Sequence, residues 1–215
     1  MIRLGAGRPN RIVALAAHCD DLAIGAGGTL LTLCLARPGI RVDALVLSGG
    51  GSEREQEEQA ALAAFCPGAD LRLTVLKLPD GRLPGYWSEA KEAVEELRAE
   101  TDPDLVLAPR TDDAHQDHRG LAKLVTTAFR DHLVLGYEIV KWDGDLGRPV
   151  AYQPLSPVIA ERKVQLLEGH YSSQQHRSWY DREAFLGLAR IRGIECNERY
   201  AEAFAVSKLT LDLGE

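Results

Sequence analysis

The chain alternates between short apolar runs and longer stretches in which apolar residues recur every three or four positions. The apolar runs have the length of β-strands and lie at residues 12–17, 40–47, 71–78, 105–108 and 134–140. The longer stretches predict helices at residues 25–36, 52–65, 88–101, 119–130, 158–168 and 182–191. A last strand or extended segment is predicted at residues 203–209.

Strands that alternate with helices predict an α/β fold, in which a mostly parallel sheet carries helices on both faces as a three-layer α/β/α sandwich. The length of 215 residues is enough for one such domain and too short for two of ordinary size. Because the sequence contains no repeat, low-complexity tract or linker, we expect a single domain over residues 1–215. Residues 143–154, rich in Gly and Pro, predict a rim or lid loop.

The first predicted strand ends abruptly in His18, Cys19, Asp20 and Asp21. Open α/β sheets bind their ligands at this end of a buried strand. Burying an imidazole and two carboxylates together is costly unless something neutralises them. A divalent cation held by the imidazole and one carboxylate does so, and leaves the other carboxylate free for proton transfer. A solvated turn in which Asp21 caps the helix explains the same residues equally well.

A second polar stretch, residues 112–120 (DDAHQDHRG), favours the metal site. It follows the apolar run 105–108 and offers His115 and His118 beside Asp117. One His and one Asp from the first strand end, with one His from the second, make three protein ligands. Three is the number found in a catalytic zinc site that keeps one position open.

These stretches resemble the A-H-P-D-D and H-x-D-H motifs of the LmbE-like (PIG-L-type) zinc N-deacetylases. The resemblance continues through Arg54-x-x-Glu57, Asp80-Gly81, Tyr171-x-Ser173-Gln174 and residues 200–204 (YAEAF), and so spans nearly the whole chain. It implies a Rossmann-like fold and a zinc-dependent hydrolase. The implied substrate is a small molecule that contains an N-acetylated amino sugar, as in an N-acetylglucosaminyl conjugate.

The same resemblance implies the roles of the site residues. The zinc ligands are then His18, Asp21 and His118, and a zinc-bound water is the nucleophile. Asp20 is the general base, because the side chains of neighbouring residues diverge and Asp20 cannot easily bind the same ion as Asp21. His115, protonated and oriented by Asp117, is predicted to stabilise the oxyanion or to protonate the leaving amine.

Two further positions are candidates for substrate binding, and one position departs from the family pattern. Arg54 and Asp80 match family residues that contact substrate. A solvated helix face for Arg54 and an ordinary turn aspartate for Asp80 stay open as alternatives. Cys19 stands where proline is usual, and we favour a small buried filler over an additional soft ligand for the metal.

Composition narrows the classes of partner. The net charge of -7 argues against a general nucleic-acid surface but not against a small anionic substrate. Four scattered cysteines without a C-x-x-C pair favour a reducing cytoplasm. No apolar run approaches the roughly 18 residues needed to cross a membrane. A homo-oligomer and a divalent cation other than zinc both stay open.

Three other functions compete with this prediction. The glycines at 25, 27 and 28 suggest a nucleotide-binding turn, but they follow the strand too late and lack the G-x-G-x-x-G spacing. A hydrolase of non-sugar amides or carbamoyl groups needs the same residues and stays open. A non-catalytic zinc protein that binds small molecules is less favoured, since a structural zinc site is usually closed by four protein ligands.

Overall fold

A computed structural model describes residues 9–210 of the protein. Its strands are β1 (Arg11–Ala16), β2 (Arg41–Ser48), β3 (Asp70–Leu78), β4 (Leu105–Pro109), β5 (Val134–Tyr137), β6 (Ala151–Leu155) and β7 (Tyr200–Ala205). Its helices are α1 (Asp21–Ala36), α2 (Glu53–Phe65), α3 (Trp87–Glu100), α4 (Gln116–Ala128), α5 (Pro157–His170) and α6 (Arg182–Glu195). Short 3₁₀ turns lie at Leu83–Tyr86 and Ser172–Gln174.

The seven strands form one sheet in the order β3-β2-β1-β4-β5-β7-β6. The first five strands in this order pair in parallel, whereas β7 runs antiparallel to both β5 and β6. The central strands are buried on both faces and therefore read as continuous apolar runs rather than as alternating ones. This mostly parallel sheet confirms the predicted fold class.

Each face of the sheet has its own apolar core, and β1 contributes to both. Ile12, Ala14 and Ala16 pack with side chains of α1, α2, α5 and α6, whereas Val13 and Leu15 pack with α3 and α4. Successive side chains of a strand point to opposite faces, so these two sets belong to two layers of helices. The three-layer arrangement predicted from the alternation of strands and helices is therefore present.

Helix α1 packs closely because of its glycines. A Cβ atom on Gly25 would collide with the ring of Tyr137, and one on Gly27 would lie 2.7 Å from Phe65. The glycines at these positions thus let α1 approach the sheet and α2 closely. Within residues 9–210, no helix is long and apolar enough to cross a membrane.

The structure differs from the sequence prediction at several boundaries. Strand β6 overlaps the end of the predicted loop 143–154. Pro154 and the partly buried side chains of this edge strand conceal the alternation of apolar and polar residues expected of a strand. Helix α1 begins at Asp21, four residues earlier than predicted, directly after the polar motif. Strand β7 ends at Ala205, before residue 209, the predicted end of the last extended segment.

Candidate metal and active site

The strand order brings the two polar motifs together. Strand β1 lies between β2 and β4, so the chain connections on its two sides run in opposite directions and open a crevice at the carboxyl ends of these strands. The first motif follows β1 directly, and the second follows β4 and leads into α4. The topology therefore places both motifs at one edge of the sheet.

Three ligand atoms from these motifs form a nearly equilateral triangle. His18 Nδ1 lies 3.1 Å from His118 Nε2 and 3.4 Å from Asp21 Oδ2, and His118 Nε2 lies 3.3 Å from Asp21 Oδ2. Ligands at about 2.0–2.2 Å from a tetrahedral ion are separated by about 3.3–3.6 Å. Three facing lone pairs repel unless a proton or a cation lies among them. The donor set and its spacing therefore fit a divalent cation with an open fourth position.

Charge and backbone contacts hold Asp21 in its ionised form. Its Oδ2 accepts hydrogen bonds from the backbone N–H groups of Ala17 at 3.2 Å and His18 at 2.9 Å. Burial alone raises the pKa of Asp21, but the imidazoles of His118 and His18 lower that pKa well below its usual range. Burial opposes protonation of His118, yet Asp21 and Asp113 raise its pKa to about 9.

Asp20 has an unusual backbone. Its φ of 92° lies in the left-handed region, which L-residues other than Asn, Asp and Gly rarely adopt. Its N–H donates to Glu58 Oε2 at 2.8 Å, and its Oδ1 lies 3.1 Å from Arg54 Nη2. Burial raises the pKa of Asp20 to about 7, although Arg54 opposes this shift.

Arg54 contacts the motif itself. Its guanidinium donates to the carbonyl oxygen of Cys19 as well as pairing with Asp20. It therefore lies at the site and not on a solvated helix face, and its contacts hold Asp20 in place. Substrate binding by Arg54 stays a prediction.

The Tyr171-x-Ser173-Gln174 segment packs against the start of α2. Glu57 accepts hydrogen bonds from the hydroxyls of Ser172 at 2.8 Å and Ser173 at 2.5 Å. Its neighbour Glu58 is fully buried and accepts a hydrogen bond from the Tyr171 hydroxyl at 2.7 Å. Burial raises the pKa of Glu58 to about 7. Tyr171 thus holds Glu58, which in turn accepts a hydrogen bond from the backbone N–H of Asp20.

His115 and Asp117 are arranged differently from the predicted pair. The Asp117 carboxylate accepts from the N–H groups of Gly81 at 2.7 Å and Leu83 at 3.1 Å, and its Oδ2 lies 3.2 Å from His18 Nε2. Only the backbone N–H of Asp117 reaches His115, donating to Nδ1 at 3.3 Å. Burial, together with the nearby His118, lowers the pKa of His115. A neutral His115 with its proton on Nε2 fits these contacts.

The remaining predicted residues also lie at this crevice. Asp80 Oδ1 is 3.0 Å from His18 Nε2, and this contact lowers the pKa of Asp80 to about 2. The Asp80 side chain is 64% exposed and so faces the mouth of the site. Cys19 is buried and points at the carbonyl oxygen of Ser48, and burial raises its pKa. A protonated thiol there agrees with a filler.

Two buried acids that the sequence analysis missed contact the motifs, namely Glu58 and Asp113. Glu58 adjoins the predicted Glu57 but lies in a highly charged run that indicated a solvated helix face. Asp113 lies within the second motif, two residues before His115, and its position next to a ligand stretch was the only available signal.

Two further sets of donors overlap the triangle. His18, His115 and His118 can each place one ring nitrogen within 4.8 Å of the others, and so can His18, Asp80 and Asp117 with one atom each. The triangle of His18, Asp21 and His118 has sides of 3.1, 3.4 and 3.3 Å and includes a carboxylate whose pKa is lowered. We therefore take it as the ligand set to test.

Comparison with known families agrees with this geometry. The PIG-L family, described as GlcNAc-PI de-N-acetylase, matches residues 13–129, more than half of the chain and the part that carries both motifs. The chain belongs to this family. The PIG-L assignment confirms the predicted family, and with it the predicted enzyme class, a hydrolase that acts on amide bonds.

Solved structures share the fold of this PIG-L protein at low sequence identity. The N,N'-diacetylchitobiose deacetylase from Pyrococcus horikoshii is 21% identical, with a TM-score of 0.72 over 92% of this chain and 84% of that one. The zinc-inhibited form of teicoplanin deacetylase Orf2 is 17% identical, with a TM-score of 0.69 over 93% and 100%. The 4-carboxy-2-hydroxymuconate hydratase GalB from Pseudomonas putida KT2440 is 16% identical, with a TM-score of 0.69 over 95% and 100%. These likenesses establish the fold, which supports more than one reaction.

Proposed function

We propose that this PIG-L protein is a divalent-cation-dependent N-deacetylase that removes the acetyl group from an amino sugar in a small conjugate. The observation that carries the proposal is the triangle of His18 Nδ1, Asp21 Oδ2 and His118 Nε2, with the carboxylate of Asp20 beside it. Zinc is the ion that this donor set suits best, since two imidazoles and one carboxylate are common catalytic zinc ligands.

The cation, when bound, polarises the amide carbonyl and lowers the pKa of a water molecule. Asp20 takes the proton from that water. Oδ1 of Asp20 is paired with Arg54, whose Nη2 lies 3.1 Å away. The paired oxygen fixes the carboxylate, and the other oxygen accepts the proton.

His115 has a donor role in this proposal. Because its Nδ1 accepts from the backbone N–H of Asp117, its ring proton is on Nε2. The His115 ring centre lies 4.9 Å from that of His18 and 4.7 Å from that of His118, beside the open position. A neutral Nε2–H there stabilises the oxyanion that develops on the acetyl carbonyl. Once the oxygen of the attacking water has bonded to the carbonyl carbon, Asp20 would return its proton to the nitrogen as the C–N bond breaks, which gives a free amine and acetic acid, ionised to acetate at neutral pH.

Arg54 and Asp80 are proposed to contact substrate at the mouth of the site. Arg54 is partly exposed, and Asp80 presents a carboxylate of low pKa that can accept hydrogen bonds from sugar hydroxyls. A cytoplasmic location is also proposed, on the ground that Cys34 and Cys66 are buried free thiols. We further propose that residues 1–215 act as one domain.

The test is metal-dependent release of free amine from a panel of N-acetylglucosaminides, with one equivalent of zinc, cobalt or manganese added to the chelator-treated protein. We expect activity with at least one metal, loss of activity and of bound metal in His118→Ala, and retention of both in His176→Ala, which changes an exposed histidine. Hydrolysis of N-acetyl amino acids but of no glucosaminide favours the non-sugar alternative. Bound metal with no amide hydrolysis favours the non-catalytic one.

A further inference from the structure

Behind His118, on the side away from the triangle, lies a carboxylate that the proposed chemistry does not use. Asp113 is 0% exposed, and its Oδ1 lies 3.1 Å from His118 Nδ1, off the axis of the ring N–H. The same oxygen accepts a hydrogen bond from the backbone N–H of His115 at 2.8 Å. Asp113 therefore connects the ring of His118 to the turn that begins α4.

A buried lysine faces the same carboxylate. Lys141 follows β5, and its Nζ lies 3.2 Å from both oxygens of Asp113. A carboxylate that faces an ammonium with both oxygens accepts hydrogen bonds and donates none. The contact between Asp113 and His118 is therefore one in which the ring N–H of His118 is the donor.

Lys141 is itself fixed by a second acid. Asp145 lies 2.9 Å from Lys141 Nζ and 3.0 Å from Arg110 Nη2, and it accepts from the N–H of Ala114 at 2.7 Å. Arg110 follows β4 and Ala114 adjoins Asp113, so these ion pairs tie the segment after β5 to the segment that leads to His118. Contacts with the segments that follow β4 and β5 therefore both fix the position of Asp113.

We propose that Asp113 is a positioning residue for the metal site: it keeps the proton of His118 on Nδ1, so that the lone pair of Nε2 faces Asp21 and His18. This inference rests on the proposed function, in which His118 binds the ion. His18 has a similar arrangement, since its Nε2 lies 3.2 Å from Asp117 while its Nδ1 lies in the triangle. Each imidazole of the triangle thus has a carboxylate at its other nitrogen, a pattern common around metal-binding histidines.

If Asp113 served only to accept the N–H of His115, its substitution should have a different effect. As a cap, Asp113 needs only an oxygen that accepts the N–H of His115, and an asparagine side chain provides one. Because Oδ1 of Asp113 faces both the N–H of His115 and Nδ1 of His118, an amide oxygen in its place keeps the cap, and the NH₂ group takes the position of Oδ2. A neutral carbonyl oxygen, however, holds the proton of His118 on Nδ1 less strongly than a carboxylate does. Asp113→Asn therefore keeps the cap and weakens the positioning contact.

The experiment measures zinc affinity of the purified full chain by competition with a chromophoric chelator, and thermal unfolding of the metal-free protein. The variants are Asp113→Asn, Asp113→Ala, Lys141→Met and His118→Ala. The matched control is Asp112→Asn, because Asp112 is the adjacent acid, pairs with Arg110 and has a side chain 70% exposed. Loss of an orienting partner of this kind typically lowers metal affinity by about 10–100-fold.

We expect Asp113→Asn to weaken zinc binding by about 10–100-fold while its unfolding stays close to that of wild type, and Asp112→Asn to bind normally. Lys141→Met, which leaves the Asp113 carboxylate but removes the ammonium that holds it, should also weaken binding, by a smaller factor. Should Asp113→Asn fold poorly, Lys141→Met alone still tests the proposal.

Zinc affinity within twofold of wild type in both folded variants overturns the positioning role. If His118→Ala loses zinc in the same assay, the proposed ligand set survives that failure. If His118→Ala itself binds zinc as wild type does, both the ligand set and the positioning role are wrong.

Discussion

Asp20→Asn is the substitution that most directly tests the proposed mechanism. Asparagine has the same shape, and it adopts the left-handed conformation about as readily as aspartate, so the φ of 92° is retained. Its carbonyl oxygen can still lie against the guanidinium of Arg54, which also keeps its hydrogen bond to the carbonyl oxygen of Cys19. The change removes only the charge and the ability to accept a proton at neutral pH.

The expected loss of rate follows from the role of a positioned base. General-base catalysis contributes about 10²–10⁴-fold. At about 1.36 kcal/mol for each factor of ten, this raises the activation free energy by about 3–5 kcal/mol. Bound metal should stay at the wild-type level, because Asp20 lies outside the triangle of His18, Asp21 and His118.

Whereas the rate of Asp20→Asn should fall, its free energy of unfolding should rise. Without metal, burial raises the folded-state pKa of Asp20 to about 7, against about 3.9 in an unfolded chain. The unfolded state is then deprotonated first, so the ionisation of Asp20 lowers stability as the pH rises from about 4 to 7. The neutral amide of the Asp20→Asn variant avoids this loss, which amounts to at most about 4 kcal/mol at 1.36 kcal/mol per pKa unit.

The assay compares kcat, KM, bound metal and urea unfolding of the metal-free protein for wild type and Asp20→Asn. Asp20 is supported as the general base if Asp20→Asn combines normal metal content, a rate lower by at least about a hundredfold, and unchanged or increased stability. A near wild-type rate shows that Asp20 is not the base. Loss of metal shows instead that Asp20 and Asp21 were assigned to the wrong tasks.

Three further predictions concern contacts that the structure displays. Arg54→Ala should lower kcat as well as kcat/KM, because it frees the Asp20 carboxylate, whereas a residue that only binds substrate would mainly raise KM. Lys163→Met should destabilise the protein by about 3 kcal/mol in urea unfolding, since it leaves the buried Glu202 without the cation that lies 2.7 Å away. Burial raises the pKa of Asp145, but the N–H of Ala114 and the ammonium of Lys141 lower it to about 2, so its stabilisation is complete above about pH 4 and is lost as the pH falls towards 2. Asp145→Asn should flatten the dependence of unfolding free energy on pH in that window.

Controls for these variants lie on the protein surface. Lys123→Met changes an exposed lysine of α4 and should alter the unfolding free energy by less than about 0.5 kcal/mol. An equal effect of Lys163→Met would mean that Glu202 is adequately held by its hydrogen bonds from Gly28 and Thr29. If the unfolding free energy of Asp145→Asn depends on pH as strongly as that of wild type, other acids cause the dependence.

Local pattern was sufficient for much of this protein. The alternation of apolar runs and amphipathic stretches predicted the parallel sheet with helices on both faces, because strand and helix periods are properties of a few consecutive residues. The motifs after β1 and β4 were recognisable for the same reason: ionisable residues directly after a buried strand stand out in a single stretch. From these motifs, together with their resemblance to the family, the sequence predicted His18, Asp20, Asp21 and His118.

Tertiary structure decided what depends on residues distant in the chain. The sequence did not reveal that β4 pairs with β1, which brings His18 within 3.1 Å of His118 across a separation of 100 residues. It did not reveal that Asp113 lies beneath His118 or that Glu58 holds the backbone of Asp20. A buried carboxylate is stable only where its partners converge on it, and those partners come from other strands and helices. Such partners leave no periodic signal in the sequence, so only the folded arrangement identifies them.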